Sequence, residues 1–145
     1  MSKLAVFPLA AALALGASSS RAVRAQDKPI ALAQAAAEQW LALVDAGKYG
    51  ESWDEAAQAF RDAVTRKDWE RNVKNARDPL GKVLSRKLEK SDYMKNPPDA
   101  PPGEYVGMLY DTSFTNRKST TETIVPMLDK DGKWRVSGYY VQAAR

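Results

Sequence analysis

Apolar side chains recur every three or four residues through the first half of the chain, and this spacing predicts three amphipathic helices. A short flexible leader at residues 26–29 precedes the first helix, and Gly47 is placed to end that helix with a left-handed cap. The second helix has its apolar stripe over residues 49–64. The third helix opens at a variant capping box on Thr65 and ends just before Pro79, because proline disfavours helical backbone in the preceding residue.

The apolar period changes from 3.6 to 2 in the second half of the chain, and this change predicts strands. A proline-rich segment at residues 97–103 is a loop, since proline cannot occupy a central strand. The segment Asp129-Lys-Asp-Gly132 is a hairpin turn rather than a calcium loop, because it lacks the downstream acidic ligands. The predicted strands cover residues 104–116, 119–128 and 133–142. The charged segment 83–94 is interpreted as a further extended segment, although the four-residue spacing of Leu84 and Leu88 also suits a helical turn.

Helices followed by strands with short connections predict an α+β domain, with three N-terminal helices packed on a four-stranded antiparallel meander. In the second strand, alternation places Tyr110 on the apolar face with Phe114 and turns Asp111 the other way. In the last strand, the same alternation places Tyr140 on one face with Trp134 and Val136.

Residues 1–25 have the pattern of a secretory signal peptide: a positive start, an apolar run of about 14 residues and small residues before the cleavage position after Ala25. The apolar run is too short to span a membrane, which requires about 20 residues. We therefore predict an exported, periplasmic protein whose mature part, residues 26–145, is a single domain without a membrane span.

Charge and composition exclude several classes of function. The chain carries a net charge of +4, but three basic residues lie in the predicted signal, so the mature part is close to neutral. This removes the main support for nucleic-acid binding. The chain has no histidine and no cysteine, which excludes histidine-based catalysis, thiol chemistry and structural zinc sites. We predict no metal site, no cofactor and no catalytic residues.

Several segments together carry a resemblance to a known family. The segment Trp40-Leu-Ala-Leu-Val-Asp-Ala-Gly-Lys-Tyr resembles an exported bacterial family called domain of unknown function 4019. The resemblance covers nearly all of the mature chain, and it implies no established activity. It continues through Ser52-Trp-Asp-Glu-Ala-Ala, Pro79-Leu-Gly, Ser85-Arg-Lys-Leu, Gly103-Glu-Tyr-Val, Thr112-Ser-Phe-Thr-Asn, Glu122-Thr-Ile-Val-Pro-Met and Gly132-Lys-Trp-Arg-Val-Ser-Gly-Tyr-Tyr.

Two wider fold resemblances follow from the same segments. The order of elements resembles the nuclear-transport-factor-two-like superfamily, which implies a bent, cone-like sheet wrapped around helices and enclosing a cavity. Members of that superfamily include isomerases, dehydratases and non-enzymatic binding domains, so the resemblance in fold does not predict an activity. The Gly47-Lys-Tyr helix pair also resembles a tetratricopeptide repeat, but such repeats need about three copies and this chain has one.

Aromatic and basic residues are the candidates for a site. The aromatic set is interpreted first as core and second as the lining of a ligand pocket. The basic residues of the segment 61–90 could dock an anionic surface, or they could form a solvated face with local ion pairs. The candidate core or pocket residues are Trp40, Trp53, Phe60, Trp69, Tyr110, Phe114, Trp134 and Tyr140. The candidate basic surface comprises Arg66, Lys67, Arg71, Lys74, Arg77 and Arg86.

The leading hypothesis for function is a non-enzymatic envelope protein that binds a small apolar ligand or a protein partner. A second hypothesis is a small isomerase- or hydratase-like enzyme, which needs one carboxylate in an apolar cavity beside a tyrosine. A third is a structural module that forms a homodimer through its sheet. The candidate bases for the second hypothesis are Glu104, Asp111 and Glu122, with Tyr105, Tyr110, Tyr139 or Tyr140 as the proton donor.

Overall fold

The computed structural model describes residues 20–144, with side chains from residue 25 onward. Four antiparallel strands form a sheet in the order β1-β2-β3-β4, and the helices precede them in the chain. The predicted α+β class and meander topology are therefore confirmed. The elements are α1 (Ser20–Asp45), α2 (Tyr49–Asp54), α3 (Gln58–Ala63), α4 (Arg66–Arg77), a 3₁₀ turn (Asp78–Leu80), β1 (Val83–Lys95), β2 (Glu104–Phe114), β3 (Arg117–Leu128) and β4 (Trp134–Ala143).

The first helix starts earlier than the apolar pattern predicts. Residues 26–29 belong to α1, so the prediction of a flexible leader there is wrong. Ala25, Gln26 and Lys28 are good helix formers, and Pro29 removes one backbone hydrogen bond without ending the helix. Most of the predicted signal peptide, residues 1–19, lies outside the described residues. No helix within residues 20–144 is long and apolar enough to cross a membrane.

The end of α1 is the predicted glycine cap. Gly47 has a φ of 75°, in the left-handed region that glycine adopts without steric cost. Its amide donates to the carbonyl of Val44 at 3.0 Å, and the amide of Lys48 donates to the carbonyl of Leu43 at 2.9 Å. These two bonds form a Schellman motif, which satisfies the last carbonyls of the helix.

The predicted second helix is not continuous; it breaks between α2 and α3, and the prediction is wrong on this point. Ala57, at the break, has an extended backbone and donates its amide to the carbonyl of Val136 in β4 at 2.9 Å. Ala56 and Ala57 are fully buried. Two alanines allow the chain to approach the sheet so closely that a sheet carbonyl replaces an intrahelical partner. The apolar residues of both short helices still pack against the same core, which is why they form a single stripe in the sequence.

The third predicted helix is confirmed as α4. The hydroxyl of Thr65 accepts a hydrogen bond from the amide of Asp68 at 3.1 Å, as the capping box requires. The helix ends at Arg77, and Pro79 lies within the 3₁₀ turn that follows. The turn leads directly into β1, which forms a strand over the charged segment predicted to be extended.

A β-bulge in β4 changes which tyrosine faces the helices. Val125 pairs with Gly138, but the next residue of β3, Pro126, pairs with Val136, so Ser137 is an extra residue in β4. The extra residue shifts the alternation by one position. Tyr139 is therefore fully buried in the core, whereas Tyr140 is only partly buried. The prediction that Tyr140 shares the core face with Val136 is wrong, because strict alternation takes no account of bulges.

The core between the helices and the sheet contains aromatic rings in tilted and edge-to-face contact. Trp40 lies 5.8 Å from Trp69 and 5.4 Å from Tyr139, measured between ring centroids. The indole N–H groups of Trp40 and Trp69 donate to the carbonyl and hydroxyl oxygens of Ser52, a fully buried residue in α2. Both indoles thus bury their polar atom with a partner, and they bring α1, α2 and α4 together.

Candidate functional site

Several of the segments that carry the family resemblance meet at one place inside the protein. Asp45 comes from the end of α1, Arg86 from β1, Thr112 from β2, Glu122 from β3 and Tyr139 from β4. Their side chains are joined by hydrogen bonds. Together with Arg77, from the last turn of α4, they form what we call the buried charge network.

Glu122 is the centre of this network and is fully buried. One carboxylate oxygen accepts hydrogen bonds from the Thr112 hydroxyl at 2.6 Å and from Arg86 Nε at 2.8 Å. The other oxygen accepts a hydrogen bond from the Tyr139 hydroxyl, and Arg77 Nη1 lies 3.9 Å from it. A buried carboxylate needs such partners, because the loss of water around a charge is otherwise very costly.

Asp45 closes the network at the edge of the core, where its side chain is 27% exposed. Arg77 Nη2 donates to it at 2.7 Å, and Arg86 donates through Nη1 at 2.7 Å and through Nη2 at 3.0 Å. Burial alone would raise the pKa of Asp45, but hydrogen bonds from Arg86 and Arg77 and their charges hold that pKa below its usual value. Asp45 is therefore ionised at neutral pH.

The two acidic and two basic side chains of the network balance, so the core carries no net charge at this point. Arg77 is only 4% exposed, and its guanidinium group lies over the ring of Phe114, 4.9 Å from the ring centroid. Burial and the charge on Glu122 raise the pKa of the Tyr139 hydroxyl well above its usual value. Tyr139 is therefore a neutral hydrogen-bond donor. Through Asp45 and Arg77, the network links the C-terminal ends of α1 and α4 to the sheet.

The carboxylate–tyrosine pair that an isomerase needs is present as Glu122 and Tyr139, but its geometry is that of a filled structural network. Both carboxylate oxygens already accept hydrogen bonds. Neither residue lines any of the four clefts described here. The other candidate bases lie elsewhere: Asp111 is exposed, and Glu104 accepts a hydrogen bond from Tyr93 at 2.5 Å.

A cleft of about 520 Å³ lies beside the network, between α1 and the first two strands, and we call it the α1–β1 cleft. Asp45 and Arg86 form its inner wall, and Tyr110 of β2 lines it as well. The Tyr110 side chain is 3% exposed, and its hydroxyl has no hydrogen-bond partner among the described residues. Burial and the nearby charge of Glu38 raise the pKa of Tyr110 to about 12, so the hydroxyl keeps its proton.

The candidate aromatic residues occupy three different environments. Trp40, Phe60, Trp69 and Phe114 are buried in the core. Trp53 and Trp134 are partly buried and pack against that core. Trp40 and Trp134 also line a second cleft, of about 440 Å³, between α1 and β4. Tyr110 lines the α1–β1 cleft, and Tyr140 is partly exposed.

The six candidate basic residues do not form one surface. Arg66, Lys67, Arg71 and Lys74 line an open cleft of about 620 Å³ beside α2 and α4. Arg66 forms salt bridges with Asp54 of α2 and with Glu70. Arg71 and Lys74 each form a salt bridge with an acidic residue three or four positions away in the chain. Arg77 and Arg86 instead point inward and belong to the buried charge network. Within residues 20–144, no cluster of acidic side chains is placed to hold a metal ion.

Sequence reasoning named Glu122 and Tyr139 separately but did not bring them together. Strand parity could have identified Glu122 as a core residue, because it lies two residues before Ile124 and both side chains are buried. The signal for Tyr139 was hidden by the bulge at Ser137. The burial of Asp45 and Arg77 could not be predicted from the sequence, because charged residues near helix ends are ordinarily exposed to solvent.

Comparisons with known proteins agree with the fold and name a family. A solved structure of a protein from Catenulispora acidiphila is similar to this chain, with a TM-score of 0.55 and 16% sequence identity over 83% of this chain and 94% of that chain. At this identity, the likeness concerns the fold alone. A search of curated proteins finds no match. The family model described as "Protein of unknown function (DUF4019)" matches residues 36–139, which include every residue of the buried charge network. The chain belongs to that family.

Proposed function

We propose that this protein is a non-enzymatic binding protein that holds a small, mainly apolar ligand in the α1–β1 cleft. The observation that carries the proposal is the Tyr110 hydroxyl, which is buried at a cleft wall without a partner among residues 20–144. A buried hydroxyl without a partner costs about 1–3 kcal/mol, so a ligand that accepts a hydrogen bond from this hydroxyl gains that interaction. The ligand therefore carries a hydrogen-bond acceptor, such as a carbonyl or carboxylate oxygen.

The walls of the cleft support the same ligand class. Leu41, Ala42 and Leu88 supply apolar surface around Tyr110. Arg86 has five N–H donors, of which three donate to Asp45 and Glu122, so N–H groups remain for a ligand oxygen. Because the network fixes the position of Arg86, a ligand does not have to order that side chain on binding. The rest of the lining is polar or charged, comprising Gln34, Glu38, Asp45, Arg86, Lys87 and Tyr110, so the cleft suits a ligand that combines an apolar part with polar groups.

We expect the protein to bind 1-naphthoate, an aromatic carboxylate, and expect Tyr110→Phe to weaken this binding by about three- to tenfold, the value of one hydrogen bond. Naphthalene, which has no acceptor, should bind the wild type and Tyr110→Phe equally. The measurement is a titration followed by amide NMR shifts, with the largest shifts expected at Leu41, Leu88 and Tyr110.

Tyr105→Phe is the matched control for this titration. Tyr105 is also fully buried in β2, but its hydroxyl already donates to the carbonyl of Pro101 at 2.7 Å and lies away from the cleft. Its replacement should therefore leave the affinity for 1-naphthoate unchanged. Equal losses in Tyr110→Phe and Tyr105→Phe, or shifts located outside the cleft, would contradict the proposed site.

We also propose that the protein is exported and that it functions in the periplasm. The support is the signal-like pattern of residues 1–25. Cleavage after Ala25 keeps all the core residues of α1, which begin at Ala33. N-terminal sequencing of the protein from a periplasmic fraction should read Gln26-Asp27-Lys28 as the first residues. A cytoplasmic protein that retains Met1 would disprove the export proposal.

A further inference from the structure

A further, smaller cavity lies beside the C-terminal end of α4. It has a volume of about 180 Å³ and lies between the end of α4, the 3₁₀ turn, the start of β3 and the end of β4. Ala76, Pro79, Leu80 and Val141 supply its apolar walls. We call it the 3₁₀ slot. It shares no lining residue with the α1–β1 cleft or with the buried charge network.

One polar side chain in the 3₁₀ slot lacks a partner. Thr120 of β3 is fully buried, and its hydroxyl has no hydrogen-bond partner among the described residues. The hydroxyl of Thr112, the neighbouring residue in β2, donates to Glu122 instead. Buried side-chain hydroxyls in folded proteins are nearly always hydrogen-bonded, so an orphan hydroxyl in a cavity wall requires an explanation.

The size and chemistry of the 3₁₀ slot define the kind of ligand that fits. A dry apolar cavity of about 150 Å³ accommodates one benzene ring, so the slot has room for one ring with a single small substituent. The hydroxyl of Thr120 both donates and accepts hydrogen bonds, so it suits a hydroxyl substituent on that ring. Asn75 and Gln142 of the lining are uncharged, and Arg117 is the charged residue among the lining residues. A neutral ring fits the apolar walls, and its hydroxyl meets the polar part of the lining.

We propose that the 3₁₀ slot is a second ligand site, which binds a neutral monocyclic compound with one hydroxyl group through Thr120. This site is independent of the proposed α1–β1 ligand, because the two cavities share no residue. Failure of 1-naphthoate to bind would leave this inference untouched. Absence of ligand binding in the 3₁₀ slot would likewise not contradict the proposed ligand site in the α1–β1 cleft.

The test uses ¹⁹F NMR titration of the purified protein with 4-fluorophenol and with fluorobenzene. We expect saturable binding of both probes, with 4-fluorophenol the tighter of the two. Thr120→Val keeps the shape of the side chain and removes the hydroxyl. It should weaken 4-fluorophenol by about three- to tenfold and leave fluorobenzene unchanged.

Two further variants test whether the probes bind inside the 3₁₀ slot. Ala76→Leu fills the 3₁₀ slot and should abolish saturable binding of both probes. Ala63→Leu adds the same volume at an exposed position at the end of α3 and should change neither. Absence of saturable binding to the wild type would overturn the proposal. So would equal effects of Thr120→Val on the two probes, or unchanged binding in a folded Ala76→Leu protein.

Discussion

Replacement of Glu122 by leucine is expected to lower the free energy of unfolding by about 3–5 kcal/mol. The substitution removes one of the two acidic groups that balance Arg77 and Arg86 in the core. It also leaves the hydroxyls of Thr112 and Tyr139 without their acceptor. The buried arginines then share only Asp45, and one positive charge is uncompensated. Urea denaturation followed by circular dichroism at neutral pH measures this loss.

Asp111→Leu is the control for Glu122→Leu. It also replaces a carboxylate by leucine, on the neighbouring strand, but Asp111 is exposed, so the expected change in unfolding free energy is within about 0.5 kcal/mol. The double variant Glu122→Leu/Arg86→Met should be more stable than the sum of its single variants predicts, because the remaining pair, Asp45 and Arg77, is neutral. A Glu122→Leu protein as stable as wild type would show that the network does not hold the fold.

The same experiment separates a structural carboxylate from a catalytic one. Catalytic groups are often strained or poorly paired, so their removal commonly leaves stability unchanged or raises it. Glu122 instead has hydrogen-bond donors on both oxygens and lines none of the four clefts described above. A large loss of stability in Glu122→Leu supports a structural role. A stable variant would favour the isomerase-like alternative, in which Glu122 and Tyr139 act on a substrate.

The order and kind of the secondary-structure elements could be predicted from the sequence because local signals agree with the fold. Gly47, Thr65 and Pro79 mark helix ends through backbone geometry that depends on neighbouring residues alone. The break at Ala57 could not be predicted this way. Its cause is a hydrogen bond to Val136, a residue far away in the sequence. Local propensity carries no information on such a contact.

The candidate site was predicted less well than the fold, for a related reason. Tyr110 and Arg86 were both candidates, one as a pocket residue and one as part of a basic surface. Sequence gave no reason to place them in one cleft, since the two side chains meet only through the pairing of β1 with β2. Charge counting also treated Arg77 and Arg86 as solvated, whereas distant carboxylates compensate them in the core.

Gly81→Ala is the second substitution for which we expect a large effect, a loss of about 3–5 kcal/mol in unfolding free energy. Gly81 follows the 3₁₀ turn with φ 80° and ψ −150°, a backbone region nearly restricted to glycine that costs other residues about 1–3 kcal/mol. A Cβ atom at this position would lie 2.0 Å from the Thr115 hydroxyl oxygen. Overpacking of this kind costs about 1–3 kcal/mol more.

The neighbouring chain cannot easily move away from that Cβ atom. The Thr115 hydroxyl accepts a hydrogen bond from the Lys82 amide at 3.1 Å, and the Thr115 amide donates to the Lys82 carbonyl at 2.8 Å. The Asn116 amide donates to the carbonyl of Leu80 at 3.0 Å. These bonds tie the 3₁₀ turn to the hairpin between β2 and β3. The side chain added at Gly81 therefore has to strain the turn, the hairpin or both.

Gly132→Ala separates the two causes of the loss at Gly81. Gly132 also has a positive φ, 82°, but a Cβ atom there would meet nothing within 4 Å, so only the backbone cost of a left-handed alanine, about 1–2 kcal/mol, is expected. Thr115→Ala should destabilise the wild type by about 1 kcal/mol, through loss of the bond to Lys82, yet stabilise Gly81→Ala by removing the clashing oxygen. Urea denaturation of the wild type, Gly81→Ala, Thr115→Ala and the double variant measures this reversal of sign. Equal costs for Gly81→Ala and Gly132→Ala would show that the turn and the hairpin are not in close contact.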